Sequence, residues 1–205
     1  MDPFKTFTSL VTPLDKVNVD TDQILPKQFL KIIEKKGFGE YLFFDWRFDA
    51  KGEKKTDFIL NKSEQSSTKI LLTRSNFGCG SSREHAVWAI ADYGFKAIIA
   101  SSFAEIFYGN AFKNGILPLI LKKEEVDELF KEIKLKELLQ LTINLESQTV
   151  KNNGKTYYFN IHPFRKKYLL EGLDDIAITM KHEQHILQYE SKNLKFSYRP
   201  DASSN

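Results

Sequence analysis

Residues able to do chemistry crowd into one stretch, Asn76 to Ala86, written NFGCGSSREHA. Gly78 and Gly80 permit backbone angles and close approaches that side chains forbid. Ser81 and Ser82 bring two hydroxyls, and Arg83 brings a planar, permanently charged fork suited to a carboxylate. Ser81 and Glu84 stand three apart, the spacing of a capping box, in which the serine oxygen accepts from the third helical N–H and the glutamate reaches back. A helix beginning here aims free N–H groups and the positive end of its dipole at one spot, which favours an anion. The plainer alternative is a capped helix with Arg83 in solvent. Two glycines, paired serines and an arginine packed together speak as strongly for an anion site.

Other chemistries fit less well. The order G-C-G-S-S is not the nucleophile elbow G-x-S-x-G, because Arg83 and Glu84 follow Ser82. No Walker loop or dinucleotide fingerprint occurs, since G-C-G lacks the third glycine and its spacing. His85 lies one turn inside the expected helix and could approach Ser81, although a lone helical histidine is more often a packed core residue. Cys79 beside a helix start could carry a lowered thiol pKa, but with no second cysteine a small buried thiol is the better expectation. His162, His182 and His185 form no metal-ligand spacing, so no metal is expected on this chain alone.

The elements around this stretch must present it. Lys69 to Arg74 reads as a strand, Ser82 to Tyr93 as a helix and Phe95 to Ala100 as a second strand. That unit implies two parallel strands joined by a right-handed crossover, with ligands gathering where strand ends meet helix starts. Ser102 and Glu105 repeat the capping-box pattern before a helix over FAEIFYGNAFKN, which Gly115 ends. Ile116 to Leu121 reads as a strand whose Pro118 suggests an edge.

Upstream, Phe7 to Val11 reads as a strand closed by Pro13. Asp20, Thr21 and Asp22 suit a turn or cap, and QFLKIIEKK has helical periodicity. In YLFFDWRFD, residues 41–49, aromatic side chains pack the core or form a substrate-facing wall. Downstream, Glu124 to Ile133 is an amphipathic helix with an acidic first turn. The strand-like LTINLESQTV and KTYYFNI flank Asn152-Asn153-Gly154, a hairpin signal. Helices are expected from Pro163 to Glu171 and from Asp174 or Asp175 to about Tyr189. One domain over residues 1–190 and a frayed tail over 191–205 are expected.

The chain of 205 residues carries a net charge of +3 with Lys and Glu interspersed, which argues against nucleic acid. No apolar run reaches the roughly 18 residues a membrane span needs, and no signal-peptide pattern is evident. A single cysteine excludes internal disulfides and cannot ligate an iron–sulfur cluster of the usual cysteine-rich kind, so the expected compartment is the cytoplasm. From residues alone the reading stops at an α/β protein with one pocket for a carboxylate or phosphate; whether it is an enzyme stays open.

GCGSSREHA, preceded by VDTDQILPKQFL and followed by NAFKNGILPL, resembles the small subunits of 3-isopropylmalate dehydratase, in the aconitase superfamily. FFDWRF and HPFRKKYLLEGLDDIAIT resemble the bacterial two-subunit form, and the likeness runs from about residue 4 to about residue 190. The resemblance implies a three-layer β/β/α swivelling domain with a mixed sheet. It implies a hydro-lyase of leucine biosynthesis that converts 2-isopropylmalate to 3-isopropylmalate through 2-isopropylmaleate. A [4Fe–4S] cluster is then carried by a separate large subunit, its open iron acting as a Lewis acid. By the same resemblance Ser81 takes the place of the base, Ser82 and Arg83 those of substrate-carboxylate ligands, and Tyr41, Leu42, Phe43 and Phe44 supply contacts to the isopropyl group. Asp20, Thr21 and Asp22 fall near the active face. Two rivals remain: an isomerase for citramalate or homocitrate, and a non-catalytic anion-binding module.

Overall fold

The computed structural model describes residues 1–31, 36–62, 65, 67–136 and 138–192. Strand β1 (Phe7–Leu14) joins two halves of one sheet by changing partner midway. Phe7 to Leu10 pair antiparallel with β5 (Gln140–Asn144), and Val11 to Leu14 pair parallel with β2 (Ile70–Thr73). Pro13 does not close β1, as the sequence suggests, but lies inside it. The Val11 N–H donates toward β5, to the Leu139 carbonyl at 2.9 Å. Pro13, two residues on, faces the same side beyond the last β5 pair, so its missing N–H leaves no ladder bond unmade.

From β2 the chain alternates: α3 (Glu84–Tyr93), β3 (Ala97–Ala100), α4 (Glu105–Lys113), β4 (Leu117–Ile120) and α5 (Lys123–Lys136). Strands β6 (Thr149–Asn152) and β7 (Lys155–Tyr158) then extend the antiparallel half. The order among the described residues is β4-β3-β2-β1-β5-β6-β7. Pro118 sits on the edge strand opposite Ile98, where a missing donor is tolerated. Asn153-Gly154 turns the β6–β7 hairpin as expected, whereas LTINLESQTV divides into β5 and β6 around a turn in which Gln148 takes φ 53°.

Side-chain alternation along the short parallel strands feeds two cores. Ile70, Leu72 and Ile99 share one with Leu141, Ile143 and Val150 of the antiparallel half. The α5 residues Val126, Leu129, Phe130 and Ile133, spaced as one helical stripe, join it. Leu71 and Ile98 face the other way, onto Ala86, Val87 and Ile90 of α3. The antiparallel half therefore curls over one face of the parallel half while α3 covers the other, giving the three β/β/α layers.

Several boundaries differ from the sequence reading. After the short helix α1 (Thr21–Ile24), the expected helix following Pro26 is a 3₁₀ turn, Lys27–Lys31, because the Phe29 N–H bonds the carbonyl three residues back. Residues 32–35 of that expected helix lie outside the described residues. YLFFDWRF forms a 3₁₀ turn, Phe38–Tyr41, and the one-turn helix α2 (Phe44–Arg47). After α6 (Pro163–Leu170), the expected final helix is two, α7 (Asp175–Met180) and α8 (Glu183–Lys192). The Lys181 and His182 amides bond carbonyls three residues back and break the run between them. Helix α8 includes residues 191 and 192 of the expected tail, and residues 193–205 lie outside the described residues. Among the described residues no helix is long and apolar enough to cross a membrane.

Candidate active site

The chain leaves β1, β2 and β3 at one edge of the sheet, and the three segments that follow are stitched side by side. The Gly78 N–H donates to the Val19 carbonyl at 2.7 Å, and the Thr21 N–H to the Cys79 carbonyl at 2.9 Å. On the other flank the Phe77 N–H meets the Ser102 carbonyl at 3.2 Å and the Ala104 N–H the Phe77 carbonyl at 3.0 Å. The glycine–serine loop is thus held by main chain on both sides at the strand C-terminal ends, where parallel sheets gather ligands. Gly78 is required there. It takes φ +77°, and a Cβ on it would lie 2.1 Å from Cγ of the Phe107 ring.

Neither expected serine cap forms. Helix α3 begins after Arg83 and α4 after Ala104, and neither residue makes a side-chain cap bond. Ser82 and Arg83 separate Ser81 from Glu84, the first residue of α3, so Ser81 is in the loop and not at the helix boundary. The Glu84 carboxylate accepts instead from Trp88 Nε1 at 3.3 Å and Asn114 Nδ2 at 2.9 Å, and Ser102 Oγ accepts from the Asn76 N–H at 2.8 Å. The capping box in this region is Asp20 with Gln23: Asp20 Oδ1 accepts from the Gln23 N–H at 2.7 Å, and Gln23 Oε1 from the Asp20 N–H at 3.0 Å.

Two helix starts without side-chain caps therefore flank one cleft of about 200 Å³, lined by Thr21, Gly78, Ser81, Ser82, Arg83 and Glu105, with Ile106 and Phe107 as its apolar wall. The Ser81 and Ser82 side chains are exposed and accept no bond from a described residue. Thr21 Oγ1 donates to the Ser81 carbonyl at 2.9 Å and fixes the loop from below. Arg83 donates from both terminal nitrogens to the two carboxylate oxygens of Asp22, the second at 3.1 Å. Asp20, Thr21 and Asp22 thus have three separate tasks: capping α1, bracing the serine loop and gripping the arginine. The arrangement can receive a carboxylate and stabilise a negatively charged oxygen.

The structure moves other candidates away. Leu42 and Phe43 are 0% exposed, and none of Tyr41, Leu42, Phe43 and Phe44 lines the cleft. Wall-forming is thereby corrected for Leu42 and Phe43, which serve the core, while Tyr41 and Phe44 stay half-buried at the surface. His85 packs against Trp88 and Phe38, with ring centroids at 4.5 and 5.6 Å, and not against Ser81. Burial, and then the charge of Asp20, push the Cys79 thiol up, so it is not an activated nucleophile. Among the described residues no three His, Cys, Asp or Glu side chains could hold a metal ion. Sequence reasoning missed the contribution of residues 104–107. The repeated passage from strand through serine to helix was the signal available for it.

The family described as the Aconitase C-terminal domain matches residues 1–124, and the one described as LeuD_N matches residues 127–163. The 3-isopropylmalate dehydratase small subunit of Brevibacillus brevis is 54% identical over 193 residues, 94% of this chain and 100% of that protein. The crystal structure of 3-isopropylmalate dehydratase (leuD) from Methanocaldococcus jannaschii superposes with a TM-score of 0.65 at 25% identity, covering 91% of this chain and 99% of that one.

Proposed function

This chain belongs to the 3-isopropylmalate dehydratase small subunits, within the family of the aconitase C-terminal domain, and from that premise we propose that its serine loop supplies the base and the carboxylate clamp of the reaction. The enzyme is a two-subunit hydro-lyase of leucine biosynthesis, so a large subunit is implied as partner. The substrate is read as 2-isopropylmalate, isomerised through 2-isopropylmaleate, in the cytosol, where a lone free thiol such as Cys79 is stable.

The observation that carries the reading is the pair of uncapped helix starts facing Ser81, Ser82 and Arg83 across one cleft. A serine alkoxide is far too basic to persist in water near neutral pH. Free N–H groups at two helix starts, with the Arg83 guanidinium, lower the cost of that negative oxygen once solvent is excluded. Ser81 then takes the proton from the carbon next to a carboxylate. The released electron pair forms the double bond as the C–O bond on the adjacent carbon breaks, and the hydroxide leaves toward the half of the site the large subunit would supply, where the implied Lewis acid would take it up. Rehydration with the opposite regiochemistry returns the proton from Ser81. Ser82 and Arg83 hold the carboxylate throughout, and Asp22 steadies the fork of Arg83; with the Asp22 side chain half-exposed, the pair adds at most about 1 kcal/mol and does not lock the arginine.

The iron–sulfur cluster implied by the resemblance does not fit this chain's residues: Cys79 is a single thiol with no companion ligands among the described residues. The reading assigns the cluster to the large subunit. The test is anaerobic reconstitution with the cognate large subunit, following 2-isopropylmaleate formation. Ser81→Ala is expected to assemble normally and to lose turnover by about a thousandfold or more. Near-normal turnover by that variant would sink the assignment of the base.

A further inference from the structure

We propose that Ile106 is a specificity-determining residue that receives the apolar side group of the substrate, which on the proposed function is an isopropyl group. Ile106 is 56% exposed, and it lines the cleft together with Ser81, Ser82 and Arg83. Core packing does not account for it. The buried residues of α4 are Phe107, Ala111 and Phe112, and Ile106 lies one residue, about 100° of helix rotation, off that stripe. On the same wall Phe107 is only 3% exposed and serves the core, and Ala104 ends at its Cβ. Among the described residues lining the cleft, Ile106 is thus the large apolar one with surface left to bury.

Its position is fixed by its neighbours. The Phe77 N–H donates to the Ser102 carbonyl at 3.2 Å and the Ala104 N–H to the Phe77 carbonyl at 3.0 Å, which stitches the chain entering α4 to the loop that carries the serines. One residue beyond Ile106, the Phe107 ring fills the space over Gly78, where a Cβ would stand 2.1 Å from its Cγ. That ring also packs on Phe77 and Phe103, with centroids at 5.2 and 6.3 Å. The Tyr108 N–H closes the first turn on the Ala104 carbonyl at 2.9 Å. Ile106 therefore stands in a turn anchored before and after it, at a set place opposite Ser81. Branching at Cβ leaves an isoleucine in a helix one strongly preferred χ1 rotamer. A side chain held in this way loses little freedom when a ligand covers it, so the apolar contact is preorganised.

The rest of the cleft has the complementary chemistry. Ser81, Ser82 and Arg83 offer hydroxyls and a guanidinium fork, which suit carboxylates and not a hydrocarbon. The acid of the proposed function carries two carboxylates, a hydroxyl and one apolar substituent. A polar wall facing one exposed aliphatic side chain matches that division. The inference rests on that reading and deepens it. The serine loop serves the groups that all such acids share, and Ile106 meets the group in which they differ.

The experiment measures kcat/KM for 2-isopropylmalate and for citramalate, which carries a methyl in place of the isopropyl, using the reconstituted two-subunit enzyme. Should citramalate bind without turning over, its inhibition constant takes the place of its kcat/KM. Ile106→Ala is expected to lower the preference for isopropylmalate about tenfold, chiefly by raising its KM. Ile106→Val, one carbon shorter than the natural residue, should fall between the two. Because the side chain is exposed, both variants are expected to keep the wild-type melting temperature, and titration with the large subunit reports their assembly. A preference unchanged within about twofold in Ile106→Ala overturns the role and leaves the proposed function standing. So does an equal loss on both acids that follows weakened assembly, which would make Ile106 a contact to the large subunit. A wild-type enzyme that turns over neither acid overturns the underlying reading and this inference with it.

Discussion

Helix starts in this molecule fall into two kinds. At α1 and α7 a side chain closes the start: Asp20 accepts from the Gln23 N–H, and Asp174 Oδ1 from the Ala177 N–H at 2.7 Å. At α3 and α4 no side chain does, although both are preceded by the S-x-x-E pattern that predicts one. The difference lies in where the candidate capping side chains go. Asp20 and Asp174 turn to their own helices, whereas Glu84 is taken by Trp88 and Asn114 and Ser102 by the Asn76 N–H. The first N–H groups of α3 and α4 are thereby left without a side-chain cap. The closed starts contribute stability, and on the proposed function the open starts of α3 and α4 receive the substrate.

Substitutions can break or sharpen this contrast. The largest effect is expected at the open starts, where Ser81→Ala removes turnover and not folding. Next is Arg83→Lys, which keeps the charge but gives up the bidentate fork; kcat/KM should fall about 10- to 100-fold, with KM raised and kcat lowered. Unchanged kinetics would count against a carboxylate at this position. At a closed start, Asp174→Ala should cost about 1 kcal/mol in a denaturant titration while leaving kcat/KM untouched. A loss of activity there would erase the division between the two kinds of start.

The smallest effect is expected far from both, in the antiparallel half. Among the described residues the buried Tyr157 hydroxyl meets no partner at hydrogen-bond geometry, and burial, followed by the carboxylates of Glu128, Glu132 and Glu125, pushes its ionisation well above the usual phenol value. A folded-state pKa raised above the unfolded one gives stability that is present below about pH 10 and is lost as pH rises through the folded value. Tyr157→Phe should therefore change neutral-pH stability by no more than about 1 kcal/mol and soften the alkaline decline. A loss of 2 kcal/mol or more would mean that the hydroxyl has a partner.

The parallel strand–helix–strand unit was legible because its strands are short apolar runs and α3 and α5 carry clean apolar stripes. The serine loop was legible as a candidate anion site, weighed evenly against a capped helix, because glycines, paired serines and an arginine cluster there. Three things were not. The helix boundaries at Glu84 and Glu105 depend on contacts with residues 18–22 and 102–104, which local pattern cannot weigh. The pairing of Arg83 with Asp22 joins positions 61 apart, and every nearby carboxylate looked equally suitable in one dimension. The turn that sends Leu42 and Phe43 inward is held by Arg47 on the Leu42 carbonyl and Asp92 on the Gly39 N–H, contacts between positions that local pattern does not link.

The loop that carries Ser81 is fastened by amide and carbonyl groups on both flanks, with Gly78 the one position where the lack of a side chain is itself the fitting. Its shape is consequently almost independent of which side chains it displays. Residues that line the cleft, such as Ile106 and Glu105, project from a frame they do not help to hold up. On the proposed function, such a site can have its lining rewritten for a different acid, one side chain at a time, while the spacing of Ser81 and Arg83 stays where the strands put it.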